Sequence, residues 1–198
     1  LSMPKASKKD GPEDTRKPFK ATEVVRLLNA AVEKRDDELA DLIRLGMWTG
    51  ARIEELCALK VAKVAEGYIT IEDAKSAAGW RDVPVHSNLK LTMDRLIKAS
   101  KDGYVLSGLK ANKYGDRSNA VGKRFGRLKS DLGFGPDFVF HSLRKTVATL
   151  LDNAGVPENV AADILGHEKP NITYGLYSGG ASLAVMAAAM EKISYIGT

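Results

Sequence analysis

Residues 141–167 read HSLRKTVATLLDNAGVPENVAADILGH and contain the clearest helix boundaries in the chain. Gly155 follows one helical segment, Pro157 opens a second segment, and Gly166 ends it. Glycine just past one helix and proline in the first turn of the next is the arrangement typical of real helix ends. This stretch therefore predicts two consecutive helices, over 141–153 and 157–165, joined by a short turn, with His167 just after the second.

The remainder of the chain extends this helical pattern in both directions. Apolar residues recur at spacings of three and four from Phe19 onwards, with Thr22 as a candidate helix cap. Similar patterns predict further helices over about 37–48, from 51, and over about 89–100, 117–132 and 181–193. Residues 67–71 and 80–85 alternate with a period of two around a turn, which predicts a β-hairpin. The sequence therefore predicts an α+β fold that is mainly α-helical, with a small antiparallel β-sheet.

Length and composition limit the possible classes of protein. The chain has 198 residues, 44% hydrophobic and 28% charged, which is ordinary for a globular domain. We expect residues 1–18 to be a linker or an expression remnant without fixed structure, and 19–198 to be one domain ending in a tail helix over about 181–193. The single cysteine, Cys57, excludes an intramolecular disulfide and a thiolate metal cluster, and favours a cytosolic setting. No segment approaches the roughly 18 apolar residues of a membrane span.

The positive charge is concentrated in one part of the sequence. The net charge is +5, but residues 95–129 alone carry ten basic and two acidic residues, interleaved with Tyr104, Tyr114 and Phe125. This composition suits a face that contacts the phosphates of DNA, although a solvated helix surface has the same composition. The residues that we expect to contact DNA are Lys110, Lys113, Arg117, Lys123, Arg124 and Arg127.

Three short motifs carry residues suited to binding an anion. His141 and Arg144 are three positions apart, so a helix places both side chains on one face, where they can converge on one anion. Residues 49–56 read TGARIEEL, with Arg52 at the start of a predicted helix, where backbone N–H groups already favour an anion. The third motif is Leu-Gly-His at 165–167, followed ten residues later by Tyr177. Each motif alone is weak, and their order along the chain is the stronger signal.

Taken in order, TGARIEEL, a lysine in the hairpin, HSLR, LGH and a tyrosine near the C-terminus resemble the tyrosine recombinase (phage-type integrase) family. The resemblance covers about residues 17–178, which corresponds to the catalytic domain of that family. It implies the helical fold with a small sheet that the residue pattern also predicts. It further implies site-specific DNA recombination through a covalent 3′-phosphotyrosine, without a metal or another cofactor.

The resemblance also implies a role for each motif residue. Arg52 and Arg144 would clamp the scissile phosphate, and Tyr177 would be the nucleophile. Lys75, in the hairpin, would protonate the leaving 5′ oxygen. His141 would donate a hydrogen bond to a phosphate oxygen or relay a proton, and His167 would donate a hydrogen bond to a non-bridging oxygen. Glu55 would support Arg52.

Several assignments keep an alternative. Tyr174 competes with Tyr177, although the family's threonine-then-tyrosine arrangement favours Tyr177. Lys60 or Lys63 could take the place of Lys75, because hairpin length varies. For Glu55, the alternative is an ordinary salt bridge within a helix.

The expected partners follow from the same resemblance. They are a double-stranded DNA attachment site, further copies of the chain in a synaptic tetramer, and accessory DNA-bending proteins, with a monomer expected in the absence of DNA. The location would be the cytoplasm of a bacterial host, on the nucleoid. The apolar segment after Tyr177 could dock on a neighbouring protomer or on its own domain.

A rival function comes from the helix–turn–helix shape of 141–165, which also suits a non-catalytic DNA-binding regulator. A regulator would require neither the terminal tyrosine nor Arg52, which lies 92 positions before Arg144. A metal-dependent nuclease would require a cluster of carboxylates that the motif region lacks.

Overall fold

The computed structural model describes residues 15–72, 80–167 and 180–195. These residues form eight α-helices and one small sheet, in the order α1 Ala21–Glu33, α2 Asp37–Thr49, α3 Ile53–Cys57, β1 Val64–Ala65, β2 Tyr68–Ile71, β3 Arg81–Pro84, α4 Lys90–Ala99, α5 Asn119–Asp131, α6 His141–Asn153, α7 Glu158–Leu165 and α8 Leu183–Met190. The prediction of a mainly helical α+β fold with a small antiparallel sheet is confirmed. Within the described ranges, no helix has the length and apolarity needed to cross a bilayer.

The first helix is capped differently from the sequence prediction. Thr22 lies inside α1, whose N-cap is Lys20, and the Glu23 carboxylate accepts a hydrogen bond of 2.8 Å from the Lys20 backbone N–H. A carboxylate in the first turn satisfies a backbone donor that has no helical partner. The prediction of Thr22 as the cap was therefore wrong.

Helices α2 and α6 form the centre of the molecule, and two glycines allow them to approach closely. A Cβ at Gly46 would lie 3.1 Å from Cδ1 of Leu143, and a Cβ at Gly50 would lie 3.1 Å from Cγ1 of Val147, both in α6. Gly50 also ends α2 in the left-handed conformation, with φ 64°. Because Arg52 follows Gly50 by two residues, this contact brings the start of α3 to the N-terminal half of α6.

The sheet has three antiparallel strands in the order β1-β2-β3. In the hairpin, Ile69 pairs with Val83 and Ile71 with Arg81. Ile69, Ile71 and Val83 are buried, so this face of the sheet packs on the core. Arg81 follows the same period of two and therefore points to the core side.

The C-terminal segment packs on its own domain. Helix α8 contacts α7 and β3, and Met186, Ala189 and Met190 are buried there. Beyond the helix, the Tyr195 hydroxyl donates a 2.8 Å hydrogen bond to the carbonyl of Met47 in α2. The described part of the tail therefore closes over the same helix that leads into Arg52.

Candidate active site

Arg52 is held by a carboxylate one helical turn away. Its backbone N–H and its Nη1 each donate a 2.7 Å hydrogen bond to Glu55, to Oε2 and Oε1 respectively. Glu55 is almost fully buried, whereas 41% of the Arg52 side chain remains exposed. The carboxylate thus holds both the backbone N–H and one end of the guanidinium of Arg52, while part of the side chain remains exposed.

Arg144 lies deep in the same region and is only 2% exposed. Its Nη1 donates a 3.1 Å hydrogen bond to the Gly50 carbonyl, and its Nη2 donates to the Leu165 carbonyl. Its Nε has no hydrogen-bond partner among the described residues. Burial, followed by the nearby positive charges of Arg81 and Arg52, lowers the pKa of Arg144 to about 9.

Arg81 in β3 is a third arginine of this site, and the sequence analysis did not select it. Its Nη2 and Nη1 lie 2.9 Å and 3.2 Å from the two oxygens of Glu55, and its Nε donates a 3.0 Å hydrogen bond to the Ile164 carbonyl. The Arg81 side chain is 6% exposed. The available signal was its register: Arg81 shares a strand face with buried Val83, and a charged residue on a core face requires a partner of opposite charge.

Glu55 connects two of these arginines. Burial disfavours its charged form, but the hydrogen bonds and positive charge of Arg81 and the hydrogen bonds of Arg52 outweigh this effect, so the pKa of Glu55 lies below its ordinary value. We call Arg52, Arg81, Arg144 and Glu55 the arginine cluster. These four residues together carry a charge of +2, so the cluster is electrostatically suited to an anion.

The two predicted histidines interact electrostatically with each other, and His167 also interacts with the three arginines of the cluster. His141 is the first residue of α6, and His167 directly follows Gly166, the C-cap of α7. Burial lowers the pKa of His167 to about 4, with further contributions from Arg144, Arg52, His141 and Arg81. His167 is therefore neutral at physiological pH, and a neutral imidazole both donates and accepts a hydrogen bond.

The structure thus gathers four of the predicted catalytic residues, Arg52, His141, Arg144 and His167, together with Glu55. Lys75, Tyr174 and Tyr177 lie outside the described residues. Of the alternatives to Lys75, Lys60 and Lys63 line a groove that Arg52 also lines, and the Lys63 ammonium pairs with Glu72.

The predicted DNA-contacting residues fall into two groups. Lys110, Lys113, Lys123 and Arg127 are exposed. Arg124 pairs with Asp36 and Glu38 at the start of α2. The Arg117 side chain is 11% exposed, donates to the carbonyls of Cys57 and Leu106, and lies 3.6 Å from the centre of the Tyr104 ring.

Fold and motif order together define the catalytic domain of a tyrosine recombinase. The Phage integrase family profile matches residues 17–181, and the chain belongs to this family. The resemblance drawn from the motifs is thereby confirmed, and the non-catalytic regulator is set aside. No protein of curated function matches the sequence.

Solved structures of integrases share the fold. The lambda integrase catalytic core has 24% identity and a TM-score of 0.61, over 77% of this chain and 96% of that chain. A lambda integrase tetramer bound to a Holliday junction has 24% identity and a TM-score of 0.64, over 79% of this chain and 48% of that chain. The Tn1549 transposon integrase in complex with circular intermediate DNA has 26% identity and a TM-score of 0.61, over 89% of this chain and 67% of that chain. This chain spans only about half to two thirds of the longer integrases.

Proposed function

We propose that this chain is the catalytic domain of an integrase that cuts and rejoins double-stranded DNA at specific attachment sites. The observation that carries the proposal is the arginine cluster, in which Arg52 lies close enough to Arg144 to lower its pKa, although 92 positions separate the two residues in the sequence. A pentacoordinate phosphorus transition state spreads negative charge over several oxygens, and fixed guanidinium groups stabilise that charge without reorganising.

The proposed reaction is a transesterification at phosphorus. The Tyr177 hydroxyl gives up its proton, for which His141 is the proposed relay, and its oxygen attacks the scissile phosphate; a 3′-phosphotyrosyl bond forms, and the bond from phosphorus to the 5′ oxygen breaks. Lys75 gives its proton to the departing 5′ oxygen, and the reverse steps rejoin a DNA strand. One phosphoester replaces another, so the bond energy is conserved and ATP is not required. We assign the cationic role to the protein's own side chains, which makes the reaction independent of metal.

The histidines complete the proposed site. Neutral His167 donates a hydrogen bond to a non-bridging phosphate oxygen and adds no charge before DNA arrives. His141, at the first turn of α6, contacts the phosphate or relays a proton. A bound phosphate would raise the pKa of His167 toward its ordinary value, because the negative charge opposes the neighbouring cations.

The proposed partners are DNA and further copies of the chain. The exposed basic residues Lys110, Lys113, Lys123 and Arg127 provide a surface for the DNA backbone. Assembly into a tetramer on DNA, assisted by DNA-bending proteins, is supported by the lambda integrase tetramer solved on a Holliday junction. We expect a monomer without DNA, and action on the DNA of a bacterial host in the cytoplasm.

A covalent-trapping experiment tests this function. The protein is incubated with a pool of nicked duplexes in EDTA, and adducts are resolved on a denaturing gel and mapped by mass spectrometry. We expect an adduct on Tyr177 that disappears in Tyr177→Phe and persists in Tyr174→Phe. An adduct on Tyr174 would reassign the nucleophile, and salt-sensitive DNA binding without any adduct would contradict the proposed reaction.

A further inference from the structure

Arg81 connects two parts of the site that are far apart in sequence. One side of its guanidinium binds both oxygens of Glu55, the carboxylate that holds Arg52. Its Nε binds the carbonyl of Ile164, three residues before His167. A single buried side chain therefore bridges the start of α3 and the end of α7.

The end of α7 is shaped to receive this guanidinium. A Cβ on Gly166 would lie 2.9 Å from both Cδ and Nη1 of Arg81, so the glycine leaves the space that the arginine occupies. Two positive side chains meet the C-terminal carbonyls of the helix, Arg81 at Ile164 and Arg144 at Leu165. Cations are favoured at this end of a helix, because its unpaired carbonyls carry partial negative charge.

We infer that Arg81 is a positioning residue for the phosphoryl-transfer site, which sets Arg52 and His167 at a fixed separation through Glu55 and the α7 terminus. This inference rests on the proposed function. Arg81 itself does not contact DNA, because only 6% of its side chain is exposed and its donors face the protein. Its effect reaches the phosphate through the two residues that it holds.

As a positioning residue, Arg81 affects the rate of cleavage and not the affinity for DNA. Exposed cations determine affinity, and Arg81 is not among them, so its loss should leave the dissociation constant for DNA nearly unchanged. Cleavage depends on the geometry of the groups around phosphorus, and a displacement of about 1 Å can lower a rate by about 100-fold. A residue that only stabilised the fold would change neither quantity well below the unfolding temperature.

The test compares Arg81→Met, Arg81→Lys and the control Arg44→Met. Arg44 forms a comparable arginine–carboxylate contact, at 2.9 Å to Asp41 on α2, but touches no member of the arginine cluster in the described structure. Three quantities are measured on the full chain at a temperature well below unfolding: the dissociation constant for DNA, the single-turnover rate of adduct formation at saturating nicked DNA, and the pKa of His167 by NMR titration.

For Arg81→Met we expect the adduct rate to fall about 10- to 100-fold, with the dissociation constant for DNA within about twofold of wild type. The pKa of His167 should rise by about half a unit to one unit, because one nearby cation is removed. Arg81→Lys retains the charge but cannot form all three contacts, so it should restore the His167 pKa more fully than the rate. Arg44→Met should leave all three quantities unchanged.

A wild-type adduct rate in Arg81→Met, or a loss of DNA affinity equal to the loss of rate, would overturn the inference. Failure of the proposed function gives a different result, because the wild-type chain would then form no adduct. In that case the His167 titration alone decides the role of Arg81, and an unchanged His167 pKa in Arg81→Met would reject it.

Discussion

At the scale of single residues, Gly166 meets two requirements at once. It caps α7 with φ 66° and ψ 49°, a left-handed conformation that costs other residues about 1 kcal/mol. Its missing side chain also makes room for the Arg81 guanidinium. Gly155 has nearly the same φ, 68°, but a Cβ there would meet nothing within 4 Å.

This contrast predicts different stabilities for two alanine variants. Gly155→Ala should lower the free energy of unfolding by about 1 kcal/mol, the cost of the backbone conformation alone. Gly166→Ala should lower it by about 2–4 kcal/mol, because Arg81 must also leave its charge-assisted hydrogen bonds. Urea denaturation measures both values.

A double-variant cycle provides the control. In an Arg81→Met background, Gly166→Ala should cost less than in the wild type, since the displaced guanidinium is already absent. Equal costs for Gly155→Ala and Gly166→Ala would contradict the steric explanation.

At the scale of secondary-structure elements, the short helix α3 links the site to the predicted DNA-binding surface. Glu55 holds Arg52, while its neighbour Glu54 accepts hydrogen bonds from the backbone N–H groups of Arg117 and Ser118, at 2.9 Å and 2.8 Å. These groups immediately precede α5, which carries Lys123 and Arg127. The adjacent residues Glu54 and Glu55 therefore position the start of α5 and the Arg52 side chain relative to each other.

The exposed face of α5 gives a prediction about salt dependence. Lys123→Ala and Arg127→Ala should each weaken DNA binding and reduce the slope of log affinity against log salt by about 1, because each removes one of the proposed phosphate contacts. Lys192→Ala, at an exposed lysine after α8, is the matched control and should leave the slope unchanged. The measurement is a fluorescence-anisotropy titration at several salt concentrations, and an unchanged slope in both α5 variants would place the DNA elsewhere.

The secondary-structure elements show which features the sequence predicts and which it does not. Helix α6 was predicted with its observed limits, 141–153, because its apolar period and the following Gly155 are local signals. The motif order likewise selected Arg52 and Arg144, which the structure places in one region. Arg81 escaped detection because its partners, Glu55 and the Ile164 carbonyl, lie 26 and 83 positions away.

The basic segment, residues 95–129, is a second case in which the sequence pattern does not predict the tertiary contacts. Its composition could not distinguish exposed Lys123 from Arg117, whose donors bind main-chain carbonyls inside the protein. Which basic side chains bind other groups of the protein depends on tertiary packing, and local sequence patterns do not predict it. His86 caps the short turn that follows β3 and lies buried beneath the tail, a burial that no local pattern indicates.

At the scale of the whole molecule, His86 joins the tail to the domain. Its Nδ1 accepts a 3.0 Å hydrogen bond from the Asn88 N–H, so Nε2 carries the proton and donates to the Ile193 carbonyl at 3.2 Å. The ring stacks on Trp48, and Glu191 lies 3.7 Å from Nε2. Burial lowers the pKa of His86 below its ordinary value, and this outweighs the opposing effects of Glu191 and the Ile193 carbonyl.

This arrangement predicts a loss of stability in mild acid. The unfolded chain takes up a proton near pH 6.5 and the folded chain only at lower pH, so the free energy of unfolding should fall as the pH drops below about 6.5. His167, whose pKa is also lowered, contributes with the same sign. Denaturant titrations between pH 8 and pH 5 measure the decline.

The control is His86→Asn, which keeps a capping acceptor but cannot titrate. This variant should be less stable than the wild type at pH 8 and should show a shallower decline toward pH 5. A decline as steep as that of the wild type would assign the pH dependence to other groups.

The acceptors of Arg144 have a consequence for how this protein can diverge. Both of its hydrogen bonds end on main-chain carbonyls, those of Gly50 and Leu165. Every amino acid supplies a carbonyl, so position 165 can change its side chain without losing the contact. We therefore expect related sequences to show no correlated substitution between positions 144 and 165, although the two residues touch. The pair of positions 55 and 81, joined through side chains, should vary together.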